Sequence, residues 1–397
     1  EREEPGPRAR SCREGGEGMI PSLFLDPAVA SIDTSGPGLL DTLTFRACAA
    51  AASAFLLLLL AGPAGIRRLR ALGLRERPDK SDSAALAAVW AKTGKRETPT
   101  MGGLLVVGAI LVASLLWARL DRLYPLLALL TLLGFAAVGF ADDWIKLNHP
   151  TRGGLSRTGK MAALTAAAAV VLLAYWKFAA STGRDALLRI HFPFFKEASA
   201  DLPSLGLLGS VAFLALEWLV LVGAANAVNI TDGMDGLAAG LSVFVGLAFA
   251  VLCYVAGRVD FTAYLGLPHV PDCGELAVVA AALAGATVGF LWFNCHPAQV
   301  FLGDTGSLAI GGLFGFLAIA ARQELLLPLV GGVFVVEASS TLLQIGWFKA
   351  TGRRILPIAP LHHIPQLRGM SESKVVVRFW IAGALCALLG VAAVKLR

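Results

Sequence analysis

An all-α, polytopic membrane bundle of about ten transmembrane helices is the fold class this sequence predicts, on three observations. First, 56% of its 397 residues are hydrophobic and only 16% are charged, with a mean hydropathy of +0.69. A soluble domain keeps far more charge on its surface. Second, apolar stretches of roughly spanning length recur near residues 42–61, 101–118, 123–141, 161–180, 205–225, 237–257, 275–293, 306–321, 325–347 and 377–395. Third, no period-two alternation at ten-residue intervals is visible, which argues against a membrane β-barrel.

Taken in order, residues 1–18 are charged and rich in Gly and Pro, a composition that buries too little apolar surface to fold. Residues 1–38 are therefore expected to be a disordered extension and lead-in, with Met19 a candidate initiator, and residues 39–397 a single membrane domain. No removable signal peptide is visible, so the first span itself supplies the targeting information. Behind that span lie Arg67, Arg68, Arg70, Arg75, Arg77, Lys80, Lys92, Lys95 and Arg96, and basic loops face the cytoplasm. Alternating sides from there places loops 62–100, 142–160, 226–236, 294–305 and 348–376 inside the cell and both termini outside. The net charge of +6 is thus read as membrane orientation. No stretch interleaves basic and aromatic residues as a nucleic-acid platform would, so no nucleic-acid partner is expected. The six cysteines have no metal-ligand spacing, and three lie in apolar runs where a thiol behaves as a small hydrophobe.

The chemistry-bearing residues fall in those same inward loops. The densest stretch, Asn226 to Gly236, holds Asn229, Thr231, Asp232, Gly233 and Asp235, more cation- and sugar-binding groups than a connecting turn needs. The third span runs straight into Asp142, Asp143 and Lys146. Asp142 and Lys146, four apart, share a helix face and can pair. Adjacent carboxylates at a membrane helix end are costly unless paired or metal-bound. Arg152, Arg157 and Lys160 add positive charge suited to an anionic substrate. The seventh span ends in Asn294, followed by Phe301 and a Gly303-Asp304-Thr305-Gly306-Ser307 helix start. Lys95 is placed to meet a phosphate, and Thr98 and Thr100 are placed to cap the second span. His296, before Pro297, reads as structural. Adjacent His362 and His363 point in different directions and suit a phosphate better than one shared metal. Glu217 and Glu337 lie inside apolar spans, where a carboxylate is a functional hypothesis by default.

Three acidic clusters, several lysines and two histidines on one membrane face match a Mg²⁺-plus-diphosphate site, because a hard divalent cation takes carboxylate and phosphate oxygens. Phosphoryl transfer is catalysed mainly by positioning and charge neutralisation. A site at the membrane edge implies one lipid substrate and one soluble nucleotide conjugate. No P-loop, Rossmann fingerprint or CxxC is present.

The motifs Thr-Pro-Thr-Met-Gly-Gly (98–103), Ala-Asp-Asp-Trp-Ile-Lys (141–146), Asn-Ile-Thr-Asp-Gly-Met-Asp-Gly-Leu (229–237) and Val-Phe-Leu-Gly-Asp-Thr-Gly-Ser-Leu (300–308) resemble the polyprenyl-phosphate N-acetylhexosamine-1-phosphate transferase superfamily. Pro-Leu-His-His (360–363) and the Ser-Glu-Ser-Lys entry to the last span (371–374) resemble its phospho-N-acetylmuramoyl-pentapeptide transferase (translocase I) branch, over residues 40–397. The resemblance implies ten transmembrane helices, a homodimer in the bacterial inner (cytoplasmic) membrane and a Mg²⁺ cofactor, with the active site facing the cytoplasm. It implies transfer of the phosphosugar from UDP-N-acetylmuramoyl-pentapeptide to undecaprenyl phosphate, giving lipid I and UMP. By the same resemblance Asp304 holds Mg²⁺, Asp142 and Asp143 are the catalytic pair, and Asp142 deprotonates or orients the lipid phosphate. His362 and His363 join the catalytic set, and Lys146 and Lys160 hold phosphates. Lys95, Asn229, Asp232, Gly233, Asp235, Asn294, Phe301 and Gln344 line the nucleotide pocket. The chain departs from the pattern at Ile364, where a third His is expected, and at Pro365-Gln366, where Phe-Glu is expected. Direct attack and a two-step route through an aspartyl phosphate both fit these residues, and direct attack needs less. Two alternatives are a sister transferase for N-acetylglucosamine 1-phosphate and a cation-coupled transporter. The Met of the first motif argues against the sister enzyme. Carboxylates at helix ends rather than mid-span argue against the transporter.

Overall fold

A computed structural model of the chain describes residues 38–74, 98–149, 153–182, 185–195 and 198–395. Lys95, Arg152, the basic residues Arg75, Arg77, Lys80, Lys92 and Arg96, and residues 1–37 of the extension expected over 1–38 lie outside the described residues. Among the described residues, ten long helices occupy the ten expected positions: α1 (Leu43–Ala71), α2 (Gly103–Trp117), α3 (Leu123–Asn148), α4 (Arg157–Ser181), α5 (Leu207–Thr231), α6 (Leu237–Ala256), α7 (Leu276–Asn294), α8 (Gly303–Ala320), α9 (Gly332–Thr351) and α10 (Glu372–Ala393). Eight of them are long and apolar enough to cross a membrane. The exceptions are α2, with 15 residues, and α9, whose apolar character is diluted by Glu337, Gln344 and Lys349.

Several boundaries differ from the sequence reading. Helix α1 runs ten residues past the expected end at 61, through Pro63. Arg67, Arg68 and Arg70 therefore lie on its last turns, where basic residues complement the helix dipole, rather than in a loop. Asp142, Asp143 and Lys146 also sit on helix, in the last turns of α3, rather than in the 142–160 loop. The ninth span is broken: Leu327–Val330 forms a short turn of helix, and α9 starts afresh at Gly332. Thr98 and Thr100 do not cap α2, which begins without a side-chain cap. Thr98 instead donates to the carbonyl of Ala298, because residues 99–103 cross residues 301–302 through three backbone hydrogen bonds. A two-stranded hairpin pairs Ile190 with Ala200 and His191 with Ser199, a local structure too short to leave a periodic sequence signal.

Helices α7 and α8 form the centre and are buried along nearly their whole length, as helices apolar on every side should be. Helix α7 packs mainly on α1 and α6, and α8 on α3 and α5. The outward faces of α1, α4, α5 and α10 present leucine, valine and isoleucine such as Leu56, Val170, Leu208 and Leu388, suited to lipid.

The two ends of the bundle differ in chemistry. At one end, where α3, α5 and α7 finish and α4, α6, α8 and α10 begin, the polar motifs meet. The opposite end is tied structurally. Arg46, 3% exposed, makes a bidentate ion pair with Glu275 at 2.6 and 2.7 Å and donates to the carbonyl of Trp117. Deeper in, Arg322 pairs with Glu217 and Glu324 and donates to the carbonyl of Arg189. The two carboxylates hold the Arg322 guanidinium well above its ordinary range against the opposing effect of burial. Burial raises the Glu324 carboxyl despite that arginine.

Candidate active site

The site begins with the spacing of α3. Asp142 and Lys146 lie one turn apart and pair at 2.7 Å, as the four-residue spacing requires. The Ser156 hydroxyl accepts the Gly159 N–H and starts α4, which brings Lys160 in from the side. Asp304, in the first turn of α8, completes the cluster. Its Oδ2 lies 2.7 Å from Lys146 Nζ and 2.7 Å from Lys160 Nζ, and Lys160 Nζ also lies 3.4 Å from Asp142 Oδ2. Two carboxylates from two helices thus share two ammonium groups. Asp142 is almost wholly buried, whereas 41% of the Lys146 side chain is exposed, so the cluster opens on the lysine side.

Both carboxylates are held by their second oxygens. Asp142 Oδ1 accepts the Leu155 N–H at 2.7 Å. Asp304 Oδ1 accepts from Asn229 Nδ2 at 2.7 Å, and Asn229 also donates to Ser307 Oγ. The 226–236 stretch therefore reaches the acidic centre through its carboxamide.

Asp143 has a different setting from its neighbour. Its Oδ1 accepts the Asp304 N–H at 3.2 Å, and its Oδ2 accepts the Thr305 N–H at 2.9 Å and the Thr305 hydroxyl at 2.7 Å. It caps the N-terminus of α8 from another helix, satisfying donors that a helix start leaves open and placing a negative charge at the positive dipole end. Close approach makes this possible, because a Cβ at Gly139 would overlap the backbone carbonyl of Asp304.

A second polar frame adjoins this cluster through the α8 start. Asp235 Oδ2 lies 2.9 Å from His296 Nδ1 and accepts the Ala298 N–H at 3.2 Å. The Asp235 N–H donates to Glu372 Oε1. Asn294 accepts the Gly236 N–H and donates to the carbonyl of Val300. Phe301 anchors by its backbone to Pro99 and Gly102. Asp232 follows the last residue of α5 and is half-buried, and the Gly233 turn lies against His362. His363 Nδ1 lies 3.1 Å from Gln366 Oε1. The amide of Gln344 is committed to the backbone of Ile355 and Leu356, away from the carboxylate cluster.

The structure thus brings Asp142, Asp304, Lys146, Lys160 and Asn229 into direct contact, with Asp143 behind them. Asp235, Asn294 and Phe301 belong to the adjoining frame. The roles of Gly139, Thr305, Ser307 and Glu372 are not visible from sequence reasoning, since each acts on a residue distant along the chain.

The donor set fits a hard divalent cation. The facing oxygens of Asp142 and Asp304 converge on shared cationic groups, and Mg²⁺ favours one or two carboxylates completed by substrate phosphates. Two ammonium groups alongside suit a diphosphate, whose charge a metal alone leaves partly unbalanced.

A family model described as glycosyl transferase family 4 matches residues 125–322, the segment holding the acidic cluster. A protein of Koribacter versatilis is 42% identical over 369 residues, covering 89% of this chain and 94% of its own length. One of Desulfosudis oleivorans is 45% identical over 360 residues, covering 89% of this chain and 94% of its own. One of Neisseria gonorrhoeae is 42% identical over 377 residues, covering 94% of this chain and 100% of its own. All three bear the name phospho-N-acetylmuramoyl-pentapeptide-transferase.

Proposed function

The chain belongs to the phospho-N-acetylmuramoyl-pentapeptide transferases of peptidoglycan synthesis, and from that membership we propose how its residues carry out the transfer. The donor is UDP-N-acetylmuramoyl-pentapeptide, the acceptor is undecaprenyl phosphate, and the products are lipid I and UMP. The observation that carries this reading is the sharing of Lys146 and Lys160 between Asp142 and Asp304, which builds a phosphate-binding centre at the end of a membrane bundle.

Asp304, with Asp142 facing it, is the residue to hold Mg²⁺, which when bound neutralises charge on the non-bridging phosphate oxygens. Lys146 and Lys160 bind phosphate oxygens of the two substrates. Asp142 Oδ2 orients the lipid phosphate and accepts its proton if one is present. An oxygen of the lipid phosphate then forms a bond to the sugar-bearing phosphorus of the diphosphate. The bond from that phosphorus to the bridging oxygen breaks, and UMP leaves with the electron pair. Direct attack is favoured because a covalent aspartyl-phosphate step adds nothing that this arrangement lacks. Asn229 fixes Asp304, and Asp143 fixes the backbone that bears it. The Asp232–Asp235 turn with Asn294 and Phe301 frames the nucleotide.

The active end is assigned to the cytoplasmic face of the bacterial inner membrane, where the nucleotide substrate is made. The basic residues Arg67, Arg68, Arg70, Arg157, Arg353 and Arg354 at this end support that orientation. A homodimer follows from the family resemblance, and sedimentation in detergent tests it. The deciding experiment incubates purified protein with undecaprenyl phosphate, Mg²⁺ and each UDP-sugar, and counts UMP. Release is expected with the muramoyl-pentapeptide conjugate. Release only with UDP-N-acetylglucosamine would assign the sister activity instead.

A further inference from the structure

Glu337 sits in the second turn of α9 with no exposed surface. A carboxylate in such a place is costly without a purpose or a partner. Its partner is His362, which is equally buried. Two donors of His362 converge on the single oxygen Glu337 Oε2: the backbone N–H at 3.3 Å and ring Nδ1 at 3.1 Å. An ionised carboxylate oxygen only accepts, so Nδ1–H is the donor in this contact. The other ring nitrogen, Nε2, is buried without a hydrogen-bond partner among the described residues. It faces the turn after α5, where a Cβ on Gly233 would come within 2.5 Å of it. The His363 ring stacks edge-on to His362, with centroids 4.2 Å apart, and closes the other side.

We propose that Glu337 is a positioning residue. It locks the tautomer and rotation of His362, and the His362 ring in turn sets the height of the Asp232–Gly233 turn that frames the nucleotide. The proposal rests on the assignment of that turn to the nucleotide pocket. It explains why an ionisable group is kept inside α9, which shows no direct contact with the carboxylate–lysine cluster. It also defines what Glu337 must supply: one acceptor oxygen at the correct reach. The other oxygen, Oε1, has no hydrogen-bond partner among the described residues, so the second oxygen of the carboxylate is dispensable.

This separates geometry from charge. Glu337→Gln keeps the reach and offers its amide oxygen to both His362 donors. Glu337→Asp keeps the charge but withdraws it by one methylene. The assay is steady-state UMP release by the full-length protein in detergent, with the UDP-muramoyl-pentapeptide varied, alongside thermal unfolding. Glu337→Asp is expected to raise KM for the nucleotide substrate about tenfold with kcat within about threefold, as loss of an outer-shell partner does. Glu337→Gln is expected to stay within about threefold of wild type in both constants. In a His362→Ala background the Asp change should not further weaken equilibrium binding of UDP-muramoyl-pentapeptide, read by calorimetry, because the two residues act as one unit.

Three outcomes overturn the proposal: Gln as damaging as Asp, a fall in kcat at unchanged KM, or additive effects in the His362→Ala background. A wild-type protein that releases no UMP refutes the functional assignment instead, whatever the variants do. The first of the three outcomes, accompanied by equal falls in melting temperature, would mark a purely structural residue.

Discussion

Asp143→Asn tests the division of labour between the two neighbouring aspartates. The carboxylate of Asp143 accepts three hydrogen bonds from the first residues of α8, using both oxygens. An asparagine has one acceptor oxygen. Turned toward Thr305, it keeps two of the three bonds and directs its NH₂ at the Asp304 N–H. One charge-assisted hydrogen bond, about 1.5–3 kcal/mol, is lost, and leaving the Asp304 N–H unsatisfied costs about 1–3 kcal/mol more. Loss of the negative charge at the helix start removes roughly another 0.3–1 kcal/mol. A combined cost of about 3–7 kcal/mol is too large for the α8 start to stay in place. Asp304 moves with that backbone. If about half of the cost appears in the barrier, kcat falls roughly 10- to 300-fold at about 1.4 kcal/mol per tenfold.

The assay is UMP release at saturating substrates together with thermal unfolding in detergent. Both kcat and melting temperature should fall for Asp143→Asn. Thr305→Val, which removes only the hydroxyl donor, should lower both by a smaller amount. The pair should be non-additive, as residues in one network are. If Asp143→Asn abolished turnover at unchanged stability while Thr305→Val stayed fully active, Asp143 would have to act on substrate directly and the capping argument would be refuted.

Four further perturbations follow from the same geometry. Asp304→Ala should reduce turnover to background with the fold intact, read by UMP release and circular dichroism, since the proposed metal-binding oxygen and the lysine anchor go together. Chelating divalent ions from wild type should abolish turnover and Mg²⁺ should restore it; activity persisting in chelator would remove Mg²⁺ from the site. Gly139→Ala forces α3 away from the Asp304 carbonyl, and overpacking of this kind costs about 1–3 kcal/mol; activity should fall more than tenfold, whereas Gly134→Ala on the same helix, where the nearest neighbour is an ordinary 3.5 Å contact, should be silent. Arg46→Met at the opposite end breaks a nearly buried ion pair, which costs about 3–5 kcal/mol; the melting temperature should drop while kcat of the folded fraction is unchanged.

Much of this protein was legible from its sequence because membranes make local rules strict. Each span must satisfy its own backbone hydrogen bonds within one helix, so long apolar runs declare helices, and the ten expected positions match the ten long helices. Chemistry was legible for a related reason. Charge is expensive in an apolar chain, so Asp142, Lys146 and Asp304 stood out. Two of them were already paired by helical spacing. Boundaries were less legible: α1 continues through Pro63, and the ninth span breaks at Gly331.

What the sequence alone determined is the class of the fold, the positions of its helices, and which residue types can do phosphate chemistry. Only the tertiary structure decided their separate tasks. Asp142 and Asp143 are chemically identical neighbours, yet successive helix positions point about 100° apart. One therefore faces two lysines, and the other faces the start of α8. The same applies to Glu337, an isolated carboxylate in the sequence that gains a partner only when the 360–367 segment folds back beneath the Gly233 turn. Composition and spacing are local properties. Which oxygen meets which donor is set by the packing of helices far apart in the chain.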